Sequence, residues 1–346
     1  MFKLRLLVTL CFIQSCLWLS SCATTAGKNE RPEDFTNAQS IFWEVSKDDQ
    51  KHFLMGTLHV GVNLVDLPQE VLAHLGSSES FIGELNSFEI DQSIMQRYTF
   101  LPRGETLSAK IGKDYVAKFK AMLDEKEFPY QPQIIERLSL YSVYSTLLAL
   151  AAQGTEASEE KMQEESPNEK KDDDQDVHPL VQQIDQASMP IDLKLAALAG
   201  NQGLEIRGFE SLEDQLLMFQ KFCTADKIKT IIDHKNEAKE LIQGLSSAYQ
   251  NSSKKQAQDS QEQDAFANFM VTMLQSMSAE DRRILLHERN HRWMKIFESL
   301  TAGRSSFIAV GAGHIPGEDG LVTLLRKAGY QVRPAFLQVK EQTANL

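Results

Sequence analysis

Phe307-Ile308-Ala309-Val310-Gly311-Ala312-Gly313-His314 is an apolar run that ends in a glycine-spaced histidine, and Phe53-Leu54-Met55-Gly56-Thr57-Leu58-His59 repeats the pattern near the other end of the chain. A short run of aromatic and branched residues with polar flanks reads as a buried strand. In both stretches Gly-x-x-His is followed by a loop, a helical segment and a second strand, so the sequence reads as two β-(GxxH)-α-β units. Glycine at the strand end is expected to permit a sharp turn that presents the histidine. If the strands are parallel, both histidines emerge at the carboxyl edge of one sheet, where open α/β sheets bind ligands. The expected fold is therefore α/β: a central mixed, largely parallel sheet with an inserted helical block, its two chain ends meeting in the sheet.

The remaining elements follow from periodicity. Residues 41–45 and 52–55 flank a polar turn as a hairpin, and Pro68 opens a helix that reaches about Leu75. Residues 81–85, 204–209 and 332–337 read as strands. Helical patterns cover 113–125, 131–152, 181–199 (divided at Met189-Pro190), 212–222, 227–245, 266–277 and 321–328, and the pair Ser278 and Asp281 caps a helix that reaches Leu300.

The 346 residues are 42% hydrophobic and 24% charged, with a formal net charge of -12, so a cationic nucleic-acid reader is excluded. Lys3 and Arg5 precede an apolar run from Leu6 to Leu19, and Leu19-Ser20-Ser21-Cys22 then reads as a lipobox. The expected organisation is a signal peptide at 1–21, a tether at 22–40 with Cys22 acylated, and one domain at 41–346. Ala23 after the cysteine, in place of Asp, points to the outer membrane of a bacterial envelope, facing the periplasm. Of the four cysteines only Cys223 would then stay free, so no disulfide is expected. Loss of Lys3 and Arg5 takes the formal charge from -12 to -14, and Glu156 to Asp176, with ten acidic and three basic residues, carries half of that. This stretch is expected to be a disordered insertion (about 154–178), with a second at 250–263.

Carboxylates accompany the two histidines. Strand 81–85 contains Glu84 and strand 204–209 leads into Glu210, so both belong at the same sheet edge if the strands are parallel. Two imidazoles and two carboxylates there can bind a divalent metal that activates water, or act as general acid and base without one. Glu84 and Glu210 have a simpler reading as caps of the following segments, and Asp192 as a first-turn acid that suits a helix dipole. On the helix reaching Leu300, residues Leu286, Trp293, Phe297 and Leu300 form the apolar stripe, and Arg289 and Asn290 fall on either side of it. An inward guanidinium needs a partner, and either a carboxylate or a bound anionic intermediate, with the negative charge that develops in hydrolysis, would serve. His287 and His291 point sideways, and His52, His74, His178 and His234 read as surface or core residues.

Gly56 to His59, Arg289-Asn290-x-x-Trp293, Val310 to Gly317 with Gly320-Leu321 and Gly329-Tyr330, and Gly208-Phe209-Glu210-Ser211 with Gln215 together resemble the TraB/GumN family, related to the Tiki proteases and PrgY. The resemblance implies a fold similar to the erythromycin esterase and ChaN-like group and a site made of His59, Glu84, Glu210, Arg289, Asn290 and His314. It also implies a divalent metal, manganese or cobalt, held by His59, Glu84 and His314, and a membrane-anchored hydrolase acting on peptides. The alternative is an envelope lipoprotein that binds haem or metal through the same histidines without turnover.

Overall fold

The strands around Phe53–Met55 and Phe307–Val310 form where apolar residues run without a break, as they do when both faces of a sheet are covered, whereas the outer strands mix apolar with charged residues. The computed structural model describes residues 40–58, 62–152, 179–185, 189–255 and 263–335. In chain order these begin with β1 (Phe42–Lys47), β2 (Gln50–Thr57), α1 (Gln69–Gly76), β3 (Ser80–Leu85), α2 (Gln92–Thr99), α3 (Leu107–Ile111), α4 (Lys113–Glu125), α5 (Pro132–Ile135) and α6 (Leu140–Ala152). Next come α7 (Pro179–Asp185), α8 (Ile191–Asn201), β4 (Glu205–Glu210), α9 (Leu212–Phe222), α10 (Ala225–Asp233), α11 (Lys235–Lys255), α12 (Gln263–Ser276) and α13 (Ala279–Arg282). A π-helical turn (Arg283–His287) leads into α14 (Glu288–Thr301), followed by β5 (Ser306–Gly311), a 3₁₀ turn (Ala312–His314), α15 (Leu321–Lys327) and β6 (Gln331–Pro334).

The sheet order is β4-β3-β5-β2-β1-β6. Strand β1 is antiparallel to both its neighbours, and the other pairs run parallel, which gives the expected mixed, largely parallel sheet. The chain ends do meet: β5 slots between β2 and β3, and β6 pairs with β1. Consequently neither β-(GxxH)-α-β unit pairs its own two strands. The β2–α1–β3 unit has β5 between its strands, and β5–α15–β6 spans β2 and β1. The two units interlock, and this brings the ends of β2 and β5 side by side, with Thr57 opposite Gly311.

Alternation within each strand divides the core in two. Phe42, Phe53, Met55, Phe81, Phe307 and Ala309 face the inserted helical block, and Phe53 stacks on Phe307 with ring centroids 5.2 Å apart. Trp43, Val45, Leu54, Ile308 and Val310 face α14 and α15 through Trp293, Phe297, Leu321 and Leu325. His52 lies at the start of β2 on this second side, edge-on to Phe297, and is buried with neither ring nitrogen hydrogen-bonded.

Several helices depart from the periodicity reading. The 131–152 pattern breaks between α5 and α6, where Leu138 bridges Phe100, and the 227–245 pattern breaks at His234. Helix α11 continues to Lys255 and α12 begins at Gln263, so the ends of the stretch expected as a flexible tip at 250–263 are helical. Residues 256–262 lie outside the described residues, as do the expected signal peptide, almost all of the tether, Cys22 and the whole of the acidic insertion.

Candidate functional site

Because β2 to β5 run parallel, the ends of β3, β4 and β5 open on one edge, and Glu84, Glu210 and His314 come together there. Arg289 and Asn290 reach the same point from α14. A π-helical turn inserts an extra residue into a helix, and Glu288 N–H accordingly bonds back to the Arg283 carbonyl. With that turn preceding them, Arg289 and Asn290 both point inward beside Trp293, each 1% exposed. His291 and His287 instead face Asp319, at 2.7 and 3.5 Å, as their sideways placement suggests.

The guanidinium of Arg289 is the hub of the cluster. Its Nε–H donates to Glu210, 3.1 Å from Oε1 and 3.2 Å from Oε2. Nη1 donates to the Leu285 carbonyl at 3.1 Å and to His314 Nε2 at 3.0 Å. Nη2 donates to Glu84 Oε2 and to Glu210 Oε1 in two short charge-assisted bonds. Arginine has five N–H donors and no acceptor, so every donor of Arg289 is committed. Burial alone would lower the guanidinium pKa, but Glu210 and Glu84 outweigh it and hold the group above its ordinary value.

Glu210 is held further by Gln215 Nε2 at 3.0 Å and Trp293 Nε1 at 3.3 Å, and the Arg292 guanidinium approaches it to 3.7 Å. Ser211, not Glu210, caps α9 by accepting from Asp214 N–H, so the capping reading of Glu210 does not apply. Asp192 does lie in the first turn of α8, where the helix dipole accounts for an acid. Glu84 Oε1 accepts the Gly311 N–H at 2.8 Å and lies 3.7 Å from His314 Nε2. Since Arg289 can only donate, His314 Nε2 accepts, and the ring proton sits on Nδ1, which donates to Asn290 Oδ1 at 2.6 Å. The Asn290 amide completes the set by donating to the carbonyls of His314 and Asp319, at 3.2 and 2.8 Å. His314 is thereby fixed as a neutral imidazole, its ring tilted 33° to the Trp293 ring with centroids 4.3 Å apart.

The two motif glycines act by absence of a side chain, and not through unusual backbone angles. Gly311 has an ordinary φ of -51°, and Gly56 is not among the positive-φ glycines. A Cβ at Gly311 would stand 3.1 Å from Glu84 Oε1, and one at Gly56 3.0 Å from the Ala312 backbone. Glycine lets the carboxylate and the His314 turn close onto the sheet edge. The Gly56 carbonyl also accepts from Tyr249 Oη of α11 at 2.8 Å, an anchor with no signature in the sequence.

Five of the six expected site residues therefore converge, and His59 lies outside the described residues. All five N–H groups of Arg289 are engaged within the protein, by two carboxylates, a carbonyl and an imidazole. Of the expected metal ligands, Glu84 and His314 belong to this cluster, and His59 lies outside the described residues. No group of three or more His, Cys, Asp or Glu side chains among the described residues is arranged around a metal position. An ion on Glu84 Oε2 and His314 Nε2 would meet Arg289 already bonded to both atoms. A divalent ion about 4 Å from a guanidinium is repelled by about 8 kcal/mol at an effective dielectric of about 20. The carboxylates that would offset this are already neutralised, so the residues do not fit a metal while Arg289 is in place.

A family model described as the TraB/PrgY/gumN family matches residues 41–334. The chain belongs to that family. No curated protein and no solved structure matches it at the significance required. The TraB/PrgY/gumN match spans both Gly-x-x-His turns, the Glu210–Gln215 segment and the Arg289-Asn290-x-x-Trp293 helix. Gln215 and Trp293, whose bonds to Glu210 only the structure supplies, stand within these same segments.

Proposed function

We propose that this TraB/PrgY/gumN chain is a lipid-anchored envelope hydrolase acting on peptide bonds, with Glu84 and His59 as the groups that meet substrate and water. The observation that carries the reading is the bracing of Glu84 by a buried cation and a backbone N–H at the carboxyl edge of a parallel sheet. A carboxylate fixed in this way can take a proton from an attacking water, and we assign His59, which follows β2 in the sequence, to return one to the leaving amine. Arg289, Glu210, Gln215, Trp293, Asn290 and His314 are positioning residues in this scheme. They hold charge, orientation and the His314 tautomer behind Glu84. No step passes through a metal.

The peptide substrate rests on the resemblance to Tiki proteases, and the anchor on the Lys3 to Cys22 sequence. Among the described residues no helix is long and apolar enough to cross a membrane. Attachment is assigned to acylated Cys22 on the lipobox sequence alone. The test is peptide-library profiling of the purified chain with and without chelator, alongside Glu84→Gln and His59→Ala. Cleavage by the unaltered chain that drops about 100-fold or more in each variant is expected. Full activity in both variants overturns the site, and stoichiometric haem binding with no turnover favours the binding lipoprotein. Cys22→Ala should move the protein to the soluble fraction or block its processing.

A further inference from the structure

We infer that the Arg289 guanidinium is the permanent cation of this site and excludes a divalent metal from Glu84 and His314. The inference rests on reading this cluster as the functional site, and not on which reaction occurs there.

Three observations converge on it. The charge count closes without an ion, since Glu84 and Glu210 bring two negative charges and Arg289 and Arg292 bring two positive ones. The acceptor directions that face the guanidinium are in use: the single lone pair of His314 Nε2 and one site on Glu84 Oε2 accept from Arg289, and one site on Glu84 Oε1 accepts the Gly311 N–H. The hub itself is locked, because all five N–H groups are bonded and its face packs 4.8 Å from the Trp293 ring. Swinging Arg289 aside to admit a metal would strand Glu210 among Gln215 and Trp293 without its buried countercharge. Metal-binding histidines commonly donate their second ring N–H to a carboxylate or carbonyl, and His314 does donate Nδ1–H to Asn290. The imidazole is thus oriented as a ligand would be, with an arginine where the metal would stand.

Arginine is a fixed charge over the whole biological pH range, so the site would need no metal supply and would keep its geometry under chelation. The inference also predicts a gain: with the guanidinium removed, two carboxylates and a neutral, oriented imidazole remain around the vacated volume, a hard-and-borderline donor set suited to cobalt or manganese.

The experiment is equilibrium dialysis and visible spectroscopy of the purified full-length chain with Co²⁺, comparing the unaltered protein, Glu84→Gln, His314→Ala, Arg289→Ala and Arg289→Ala combined with His314→Ala. The unaltered chain should bind no Co²⁺ that depends on Glu84 or His314, and its melting temperature should not respond to the ion. Arg289→Ala should gain one Co²⁺ per chain with a ligand-field spectrum, weakened about 10- to 100-fold when His314 is also removed. One Co²⁺ per unaltered chain, lost in Glu84→Gln and in His314→Ala, overturns the inference, as does a folded Arg289→Ala chain that gains none. Should Arg289→Ala fail to fold, the unaltered chain and the two single variants decide the matter alone. Absence of peptidase activity would remove the proposed reaction and leave these binding results standing.

Discussion

His52 shows how a single side chain ties this fold to pH. It sits at the end of β2 remote from the Glu84 cluster, among apolar residues, and desolvation lowers its pKa to about 4. In the unfolded chain it should titrate near 6.5, so between about pH 6.5 and 4 the unfolded state binds a proton that the folded state does not. Stability therefore falls as the pH is lowered through this window, by about 3 kcal/mol in all from this one group. Replacing it with a residue that cannot be charged, His52→Phe, should flatten that part of the pH profile of urea unfolding. An unchanged slope in the variant would mean that other groups carry the acid sensitivity. From sequence the same residue read only as a surface or core histidine outside the site; its burial beside Phe297 comes from the fold. The Glu84 cluster was legible to the extent that each member stands at a strand end or breaks an apolar stripe. What could not be read was the closing of Arg289 onto Glu84, Glu210 and His314. Those contacts join residues 205, 79 and 25 positions apart, and local periodicity carries no information about them. A carboxylate partner for an inward Arg289 was legible, but not which carboxylates, nor that all five donors would be engaged at once.

Among the elements, strands and long amphipathic helices were readable, whereas α2 and α3 were not. Helix α2 is polar for most of its length, and α3 is a single turn started by the Thr106 side chain. The π-helical turn before α14 was also invisible, since its effect is one residue of register rather than a change in composition. Glycines were recognised, but for the wrong property, and this leads to a pair of contrasting expectations. A Cβ at Gly208 of β4 would stand 2.3 Å from the Asn86 backbone nitrogen, so the chain leaving β3 crosses β4 only because that side chain is missing. Gly208→Ala must displace backbone and should cost about 2 kcal/mol or more, within the range for overpacked sites. At Gly311 the clash is milder and falls on the Glu84 carboxylate. Gly311→Ala should therefore cost about 1 kcal/mol in stability but reduce any turnover disproportionately, by about 10-fold or more, through displacement of Glu84. Urea unfolding together with the peptide assay separates the two. Equal loss of stability in both variants, with activity following stability, would refute the distinction.

At the scale of the whole molecule, the sheet is stitched from both ends of the domain, with β5 holding β2 and β3 together while α8 packs on β3 and β4 and other intervening helices share the core on one face. Such a fold tolerates sequence inserted between helices whose own packing is complete. Helix α6 ends at Ala152 after burying Leu147, Leu148 and Leu150, and α7 begins at Pro179, burying Val181 and Ile184. The acidic stretch Glu156 to Asp176 lies between them, with no aromatic residue, a single methionine and a net charge of -7. It offers almost nothing to a core, and closing a loop depends only weakly on length, about 0.6 kcal/mol for each doubling. Removing it also relieves like-charge repulsion in a chain whose formal charge is already -12. Deletion of residues 156–176 should therefore leave the melting temperature within a few degrees of the parent, with a slight rise at low salt that disappears at high salt. A broad, non-cooperative transition in the deleted chain would show instead that the acidic stretch is part of what the helices pack against.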